Sequence, residues 1–296
     1  MEYLKNKSIK DFSYIKVGGM VDEIFIAKNE KEIIEVIDNK SRIRIVGGGS
    51  KILFSFKQDH SSYLIDRNDF IFEKKDSLLI GGGTPLSKVG KYFENHSLKG
   101  FSALSTIPGR IGGSIVQNAS CYNQCISDKL LSVTVYFNHK IIKKKKEELM
   151  FSYRNSIFKY IPYVILHAEF KKEVGNKDDI KNTTLKILEY RKNNQPINTL
   201  TLGSTFKNIN GFKVGQILDE LNLKGFSLSN QVNVSKIHAN FLEIKKDCSY
   251  EQIMLLIHSL SGVLYKKKGI IFPLEIIIFR EDYFGGEKRI SWSYFR

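Results

Sequence analysis

The sequence predicts an α+β protein of about two domains, and three observations carry that reading. Strand-like and helix-like segments alternate from Val21 onward, two of the strands run into glycine triplets, and a polar helix is closed by Gln195-Pro196. The length of 296 residues is enough for two hydrophobic cores.

Glu23 to Ala27 reads as a strand. Asn29 then opens a helix with Ile33, Ile34 and Ile37 on one face, and Arg42 to Val46 is a strand that drives into Gly47-Gly48-Gly49-Ser50. The pattern recurs in Ser77 to Ile80, which runs into Gly81-Gly82-Gly83. Thr84 is the expected N-cap and Pro85 the first helical position of Leu86 to Glu94. Ile107 to Ala119, carrying Gly109, Gly112 and Gly113, reads as a third glycine-rich loop. Leu130 to Phe137 and Tyr163 to Phe170 are strands, and Asp178 to Asn193 is a polar helix. Beyond Pro196, helices are expected over Val214 to Leu221 and Tyr250 to Leu264, with a strand over Ile270 to Phe279. The segment after Arg280 has no clear periodicity.

With 42% apolar and 26% charged residues, disorder and fibrous architectures are excluded. The net charge of +15 invites a nucleic-acid partner. Against that, the lysines are dispersed, and the one dense run, Lys143 to Lys146, reads as a solvated strand end. Basic charge equally suits an anionic small substrate. Cys121, Cys125 and Cys248 have no metal-binding or disulfide spacing, so no metal is expected and a reducing compartment fits. Met1 to Lys10 lacks the apolar stretch of a signal peptide, and no uncharged apolar run is long enough to insert in a membrane. The expected location is the cytoplasm.

Glycines after a strand let successive N–H groups face one concavity, a geometry that binds phosphate, although each triplet alone is equally a pair of tight turns. Neither triplet fits the Rossmann or P-loop spacing. Three such loops suit a long ligand with two phosphates. Glu275, inside the apolar run Phe272 to Phe279, needs a partner if it is buried, and Arg154 is a candidate. Ser204, after Gly203, is either a turn or cap serine or a proton donor.

An ordered set of short motifs carries more information than any one of them. The set comprises Val17-Gly18-Gly19, Val46 to Ser50, Ile107-Pro108-Gly109 with Gly112-Gly113, Asn118-Ala119, and Tyr153-Arg154 with Ser156. It continues through Arg191 to Pro196, Gly203-Ser204 with Phe206-Lys207-Asn208, Leu223 to Gly225, Val234-Ser235, His238 to Phe241 and Leu274-Glu275. In this order, from about Lys10 to Arg280, the chain resembles the UDP-N-acetylenolpyruvoylglucosamine reductases, the MurB flavoenzymes of peptidoglycan synthesis.

The resemblance implies a two-part FAD-binding domain of the vanillyl-alcohol-oxidase type over 1–195, split near residue 67. A smaller substrate-binding domain over 196–280 and a tail over 281–296 follow. FAD, held noncovalently, would be reduced by NADPH and pass hydride to the enolpyruvyl group of a UDP-linked amino sugar, giving UDP-N-acetylmuramate. By resemblance Arg154 and Glu275 flank the substrate carboxylate, Glu275 as a protonated donor or an orienter, and Ser204 protonates the alpha carbon. The implied cofactor contacts are Gly47, Gly48, Gly49, Ser50, Lys51, Ile107, Pro108, Gly109, Gly112, Gly113, Ser114 and Asn118, with all three glycine loops forming the pyrophosphate cradle. Tyr153, Lys207, Asn208 and Lys192 are implied for substrate, and His238 is read as structural.

The chain departs from the family pattern at Lys51, where Asn is usual, at Arg110, where Thr is usual, and at Ser120-Cys121, where a Gly-Ala pair is usual. The short interval between Arg154 and Ser204 indicates the compact subtype. A monomer is expected, without nucleic acid or membrane insertion. The alternatives are another oxidoreductase on the same FAD fold or a basic nucleic-acid-binding protein.

Overall fold

The computed structural model describes residues 1–281 and the backbone of 289–291, so most of the tail from 281 lies outside the described residues. In chain order the first layer is built from β1 (Glu2–Ser8), β2 (Met20–Ala27), α1 (Glu30–Asn39), β3 (Arg42–Val46), β4 (Ile52–Ser55) and β5 (Gln58–Asp66). Its sheet runs β1-β2-β5-β3, antiparallel at β1/β2 and parallel elsewhere, so β5 separates the two strands of the β-α-β unit. One face contributes Phe25, Ala27, Ile43, Ile45 and Leu64 to the main core, and the other contributes Ile24, Val46, Tyr63 and Ile65 to a second cluster. Burial on both faces is what parallel strands require, and it explains the near-continuous apolar run of β3. Asn29 caps α1 as expected, its side-chain oxygen accepting the Glu32 N–H at 3.0 Å.

The second layer follows with β6 (Ile71–Glu73), β7 (Ser77–Gly81), α2 (Leu86–Asn95), α3 (Ile111–Val116) and the small hairpin β8 (Ser120–Cys121) and β9 (Gln124–Cys125). It is completed by β10 (Leu130–Phe137), β11 (Lys140–Lys145), β12 (Val164–Lys171) and α4 (Lys177–Asn194). These strands form an antiparallel sheet in the order β11-β10-β12-β7-β6. The lysine run lies at its β11 edge, where Lys143 pairs with Glu169 at 2.6 Å and Lys144 with Glu148 at 3.0 Å.

Two expectations change here. Pro85, not Thr84, is the N-cap of α2, because the Thr84 hydroxyl is engaged with the Phe70 backbone, donating to its carbonyl and accepting its N–H. The third glycine segment is not all loop, since Ile111–Val116 is helical.

The last region contains α5 (Val214–Glu220), β13 (Ser227–Ser229), β14 (Val232–Val234), β15 (Leu242–Ile244), α6 (Tyr250–Lys268), β16 (Ile277–Arg280) and β17 (Arg289–Ser291), which runs parallel to β3. Ser249 and Gln252 form a reciprocal capping box at the start of α6. That helix buries Ile253, Leu256, Ile257, Leu260 and Leu264, each contributing roughly 1.5–3 kcal/mol of burial. The same cluster takes in Ile15, Val17 and Leu53 from the N-terminal region, so the two ends of the chain share a core. The strand expected over Ile270 to Phe279 is shorter, Ile277–Arg280, and pairs in parallel with β4. Pro273 has no N–H to offer a ladder, and the residues around it form bridges to the Ser204 segment instead.

Candidate active site

A cleft of about 660 Å³ opens where the loop after β3 faces the segment leading into α3. Gly47 to Lys51 lie on one side, and Ile107 to Arg110, Gly113 and Ser114 on the other. The two loops touch, since a Cβ on Gly48 would stand 3.2 Å from Gly109 Cα and the Ser50 hydroxyl donates to the Pro108 carbonyl at 3.1 Å. Among the described residues, the N–H groups of Gly47, Gly48, Gly49, Ser50, Gly109 and Arg110 find no protein acceptor. Backbone donors left over in this way are satisfied by solvent or ligand, and successive ones form an anion-binding concavity. These residues fit the diphosphate of a flavin dinucleotide. The Asn118 side-chain oxygen, buried and without a partner among the described residues, is a further acceptor beside the cleft-lining Gln117 and Ala119.

The Gly81-Gly82-Gly83 run does not join this cradle. Its N–H groups donate to the carbonyls of Phe70, Leu166 and Asn68, and a Cβ on Gly82 or Gly83 would meet the Asp66 carboxyl at 2.8 or 2.6 Å. The triplet is a packing turn, and the expected three-loop cradle reduces to two loops. Gly112 also faces the protein, its N–H donating to Gly82.

Across the cleft, Arg154 occupies the left-handed region at φ +52°, at the tip of a turn closed by paired Ser152 and Asn155 hydrogen bonds. Such a conformation is uncommon for arginine and needs support from its surroundings. That support comes from Ser120, whose hydroxyl and carbonyl accept from the guanidinium at 2.8 and 3.2 Å, and from Lys159, whose ammonium donates to the Arg154 carbonyl. Arg154 Nε lies 3.2 Å from Glu275 Oε1, an ionic contact without hydrogen-bond alignment. Lys51 Nζ lies 2.8 Å from the same oxygen.

Glu275 is only 4% exposed. Burial pushes its carboxyl up, but the charges of Lys51 and Arg154 outweigh burial and hold it below the ordinary carboxylate range. The two cations in contact with it thus favour its ionised form. Lys159, half-buried and repelled by Lys207, is pushed down to about 7, mainly by its loss of solvent.

Ser204 lines both this cleft and a second one of about 340 Å³ that includes Asn208, Lys213, Gln216, Lys224 and His238. Its position is set by backbone bridging to Phe241, while the next residue's carbonyl accepts the Glu275 N–H at 2.8 Å. Ser204 caps no helix, because the next one begins at Val214, whose N–H donates to the Asn208 side-chain oxygen at 2.9 Å. The Tyr153 ring stands beside Arg154, with the guanidinium carbon 5.6 Å from its centroid, and Lys207 is half-buried near Glu275. Lys192 is exposed on α4 and lines neither cleft, whereas its neighbour Arg191 is buried and lines the first. His238 accepts the Asn240 N–H and packs against Gly215, in keeping with a structural role. Nothing in the sequence marks Ser120 or Lys159 as a support of Arg154. Lys159 lies five residues after Arg154, and Ser120 stands out only as a departure from the usual Gly-Ala pair.

The domain family described as "FAD binding domain" matches residues 21–139, and that described as "UDP-N-acetylenolpyruvoylglucosamine reductase, C-terminal domain" matches 195–279. The chain is 34% identical to the UDP-N-acetylenolpyruvoylglucosamine reductase of Aquifex aeolicus over 93% of this chain and 95% of that protein. It is 31% identical to the enzyme of the same name from Fervidobacterium nodosum, over 93% and 91% of the two chains. The crystal structure of the Thermus caldophilus enzyme superposes with a TM-score of 0.81 over 94% of this chain and 98% of that one, a likeness of fold at 23% identity.

Proposed function

This chain belongs to the UDP-N-acetylenolpyruvoylglucosamine reductase family, and from that membership we propose how its two clefts divide the work. The protein is an FAD-dependent oxidoreductase that uses NADPH to reduce UDP-N-acetylglucosamine enolpyruvate to UDP-N-acetylmuramate for peptidoglycan synthesis. The first cleft takes FAD, with Gly47 to Ser50 and Ile107 to Arg110 at its diphosphate and Gly113, Ser114 and Asn118 alongside. The second takes the UDP-linked sugar, with Asn208 in its lining toward the diphosphate, and Lys207 and Tyr153, which stand near Glu275 and Arg154 outside both linings, reaching the substrate from there. The proposed domain division follows: 1–195 for FAD and 196–280 for substrate.

FAD held in the first cleft would supply hydride chemistry, taking electrons from NADPH and delivering them at the terminal enolpyruvyl carbon. Negative charge then appears on the carbon alpha to the carboxylate and is delocalised as an enolate. Arg154 is the cation that stabilises that charge, and the ionised Glu275 holds the arginine in place. Ser204 delivers the proton to the alpha carbon, and its placement decides which face receives it. A serine is a weak acid, but the enolate carbon is basic enough to accept its proton.

The single observation that carries this reading is that Ser204 lines both clefts beside the Arg154–Glu275 contact. We read the enzyme as a monomer of the cytoplasm; that one chain builds both clefts supports the first, and its nucleotide substrates support the second. Among the described residues no helix is long and apolar enough to cross a membrane. The test is purification with a yellow cofactor released by acid as FAD, followed by NADPH consumption that depends on the enolpyruvyl sugar. A colourless protein that binds no added FAD would contradict the proposal.

A further inference from the structure

Lys51 ends the glycine loop immediately before β4, and Glu275 lies two residues before β16. The parallel pairing of those strands, with the Ile277 N–H donating to the Lys51 carbonyl at 2.7 Å, brings the two side chains together from distant parts of the chain. The Lys51 ammonium does not turn back toward the unpaired N–H groups of its own loop. It stands 2.8 Å from Glu275 Oε1 and donates to the Ser204 carbonyl at 2.9 Å. Room for it is provided by Gly203, which sits at φ +72° and where a Cβ would stand 3.2 Å from Lys51 Nζ. Any side chain at 203 would be strained and would crowd the ammonium.

We propose that Lys51 is a positioning residue for the reduction, its ammonium clamping the Glu275 carboxylate to the Ser204 segment and compensating that carboxylate's charge. The proposal rests on the reading of Glu275 and Ser204 given above. An ammonium has three donors and no acceptor, so two acceptors from separate segments are held by a single group.

The charge count explains the consequence. Glu275 and Arg154 alone would form a neutral pair. With Lys51 the trio carries one net positive charge, so Arg154 can receive an anionic group while Glu275 stays ionised. Tyr153, Lys159 and Lys207 also face Glu275, but Lys51 and Arg154 are the cations in contact with it. Burial outweighs the glutamate at Lys51 and lowers that ammonium, whereas the two cations outweigh burial at Glu275.

The test compares Lys51→Met, Lys51→Asn, Lys51→Arg and Glu275→Gln as FAD-loaded proteins. FAD affinity is measured by titration, and flavin reoxidation by substrate is followed by rapid mixing across pH. Lys51→Met and Lys51→Asn are expected to keep FAD affinity within about twofold and to slow reoxidation by about 10- to 100-fold. Their acid limb should move up in pH, because Glu275 has lost one of the two charges that keep it ionised. Lys51→Arg should restore most of the rate. A tenfold loss of FAD affinity with normal reoxidation would overturn the proposal and make Lys51 a cofactor contact. Slow reoxidation in Glu275→Gln with a normal rate and acid limb in both neutral Lys51 variants would also overturn it, leaving the site reading intact. Normal reoxidation in Glu275→Gln would instead bring down the site reading, and the positioning role with it.

Discussion

Arg154 and Glu275 meet with Nε 3.2 Å from Oε1, the arginine held in a left-handed backbone conformation at a turn tip and the glutamate in a nearly closed wall of the cleft. Neither is placed by its own element alone, since Ser120 and Lys159 fix the arginine and Thr205 and Lys51 fix the glutamate.

If this pair acts on charge that develops only during reduction, Arg154→Lys and Glu275→Gln should retain FAD and still be reduced by NADPH. Substrate-driven reoxidation should fall on the order of 10²-fold or more. Rapid mixing of reduced protein with substrate checks this, and normal rates in both variants would remove the pair from the mechanism.

A cleft-lining glycine and a packing-turn glycine should respond in opposite ways. Among the described residues a Cβ on Gly113 meets nothing within 4 Å, and it projects from a residue lining the cleft, so Gly113→Ala should leave the apoprotein as stable or more stable while weakening FAD binding. A Cβ on Gly83 would stand 2.5 Å from the Asn68 nitrogen, so Gly83→Ala should destabilise the fold with no selective loss of FAD. Thermal melts of apoprotein beside FAD titrations separate the two, and equal effects would refute the distinction.

That contrast also marks what the sequence could disclose. Asn29 with Ile33 and Ile37, or the apolar strand Arg42–Val46, announce themselves by capping chemistry and periodicity. The two glycine triplets look alike because what distinguishes them is whether the N–H groups meet carbonyls of remote residues such as Leu166 and Asn68. Lys51 belongs to the same class. Its place beside the cofactor loop was legible, but its contact with Glu275 depends on the β4/β16 pairing. The polar stretch at His60 to Ser62 hid β5, whose buried Asp59 is matched by Arg44 across the sheet at 3.1 Å. Ile270 to Phe279 reads as one strand because apolar character there comes from packing Phe272, Leu274 and Ile276 into the cluster around α6 as well as from pairing.

Asp66 gives a pH dependence with a definite sign. Burial raises its carboxyl from 3.8 to about 7, against the opposing Asn68 N–H and the charges of Arg110 and Arg67. A group whose pKa is raised on folding contributes most stability below its unfolded value, and that contribution is lost as pH rises through the folded value. The melting temperature of Asp66→Asn relative to wild type should therefore climb between about pH 4 and pH 7 and level off above. A difference independent of pH would show that Asp66 does not titrate in this window.

Ser204→Ala should keep folding, FAD content and flavin reduction by NADPH close to normal while turnover falls about 10²- to 10⁴-fold or more. Ser204→Cys, which restores an ionisable proton at nearly the same place, should recover part of the activity. Wild-type turnover in a folded Ser204→Ala protein would exclude the serine as proton donor.

The most direct measurement of the central claim is a single anaerobic turnover in D₂O, mixing NADPH-reduced holoprotein with UDP-N-acetylglucosamine enolpyruvate and following flavin absorbance and product together. The expected result is reoxidation stoichiometric with UDP-N-acetylmuramate carrying one deuterium on a single face of its alpha carbon. Flavin that stays reduced in the presence of the sugar, or product deuterated on both faces, would contradict the account.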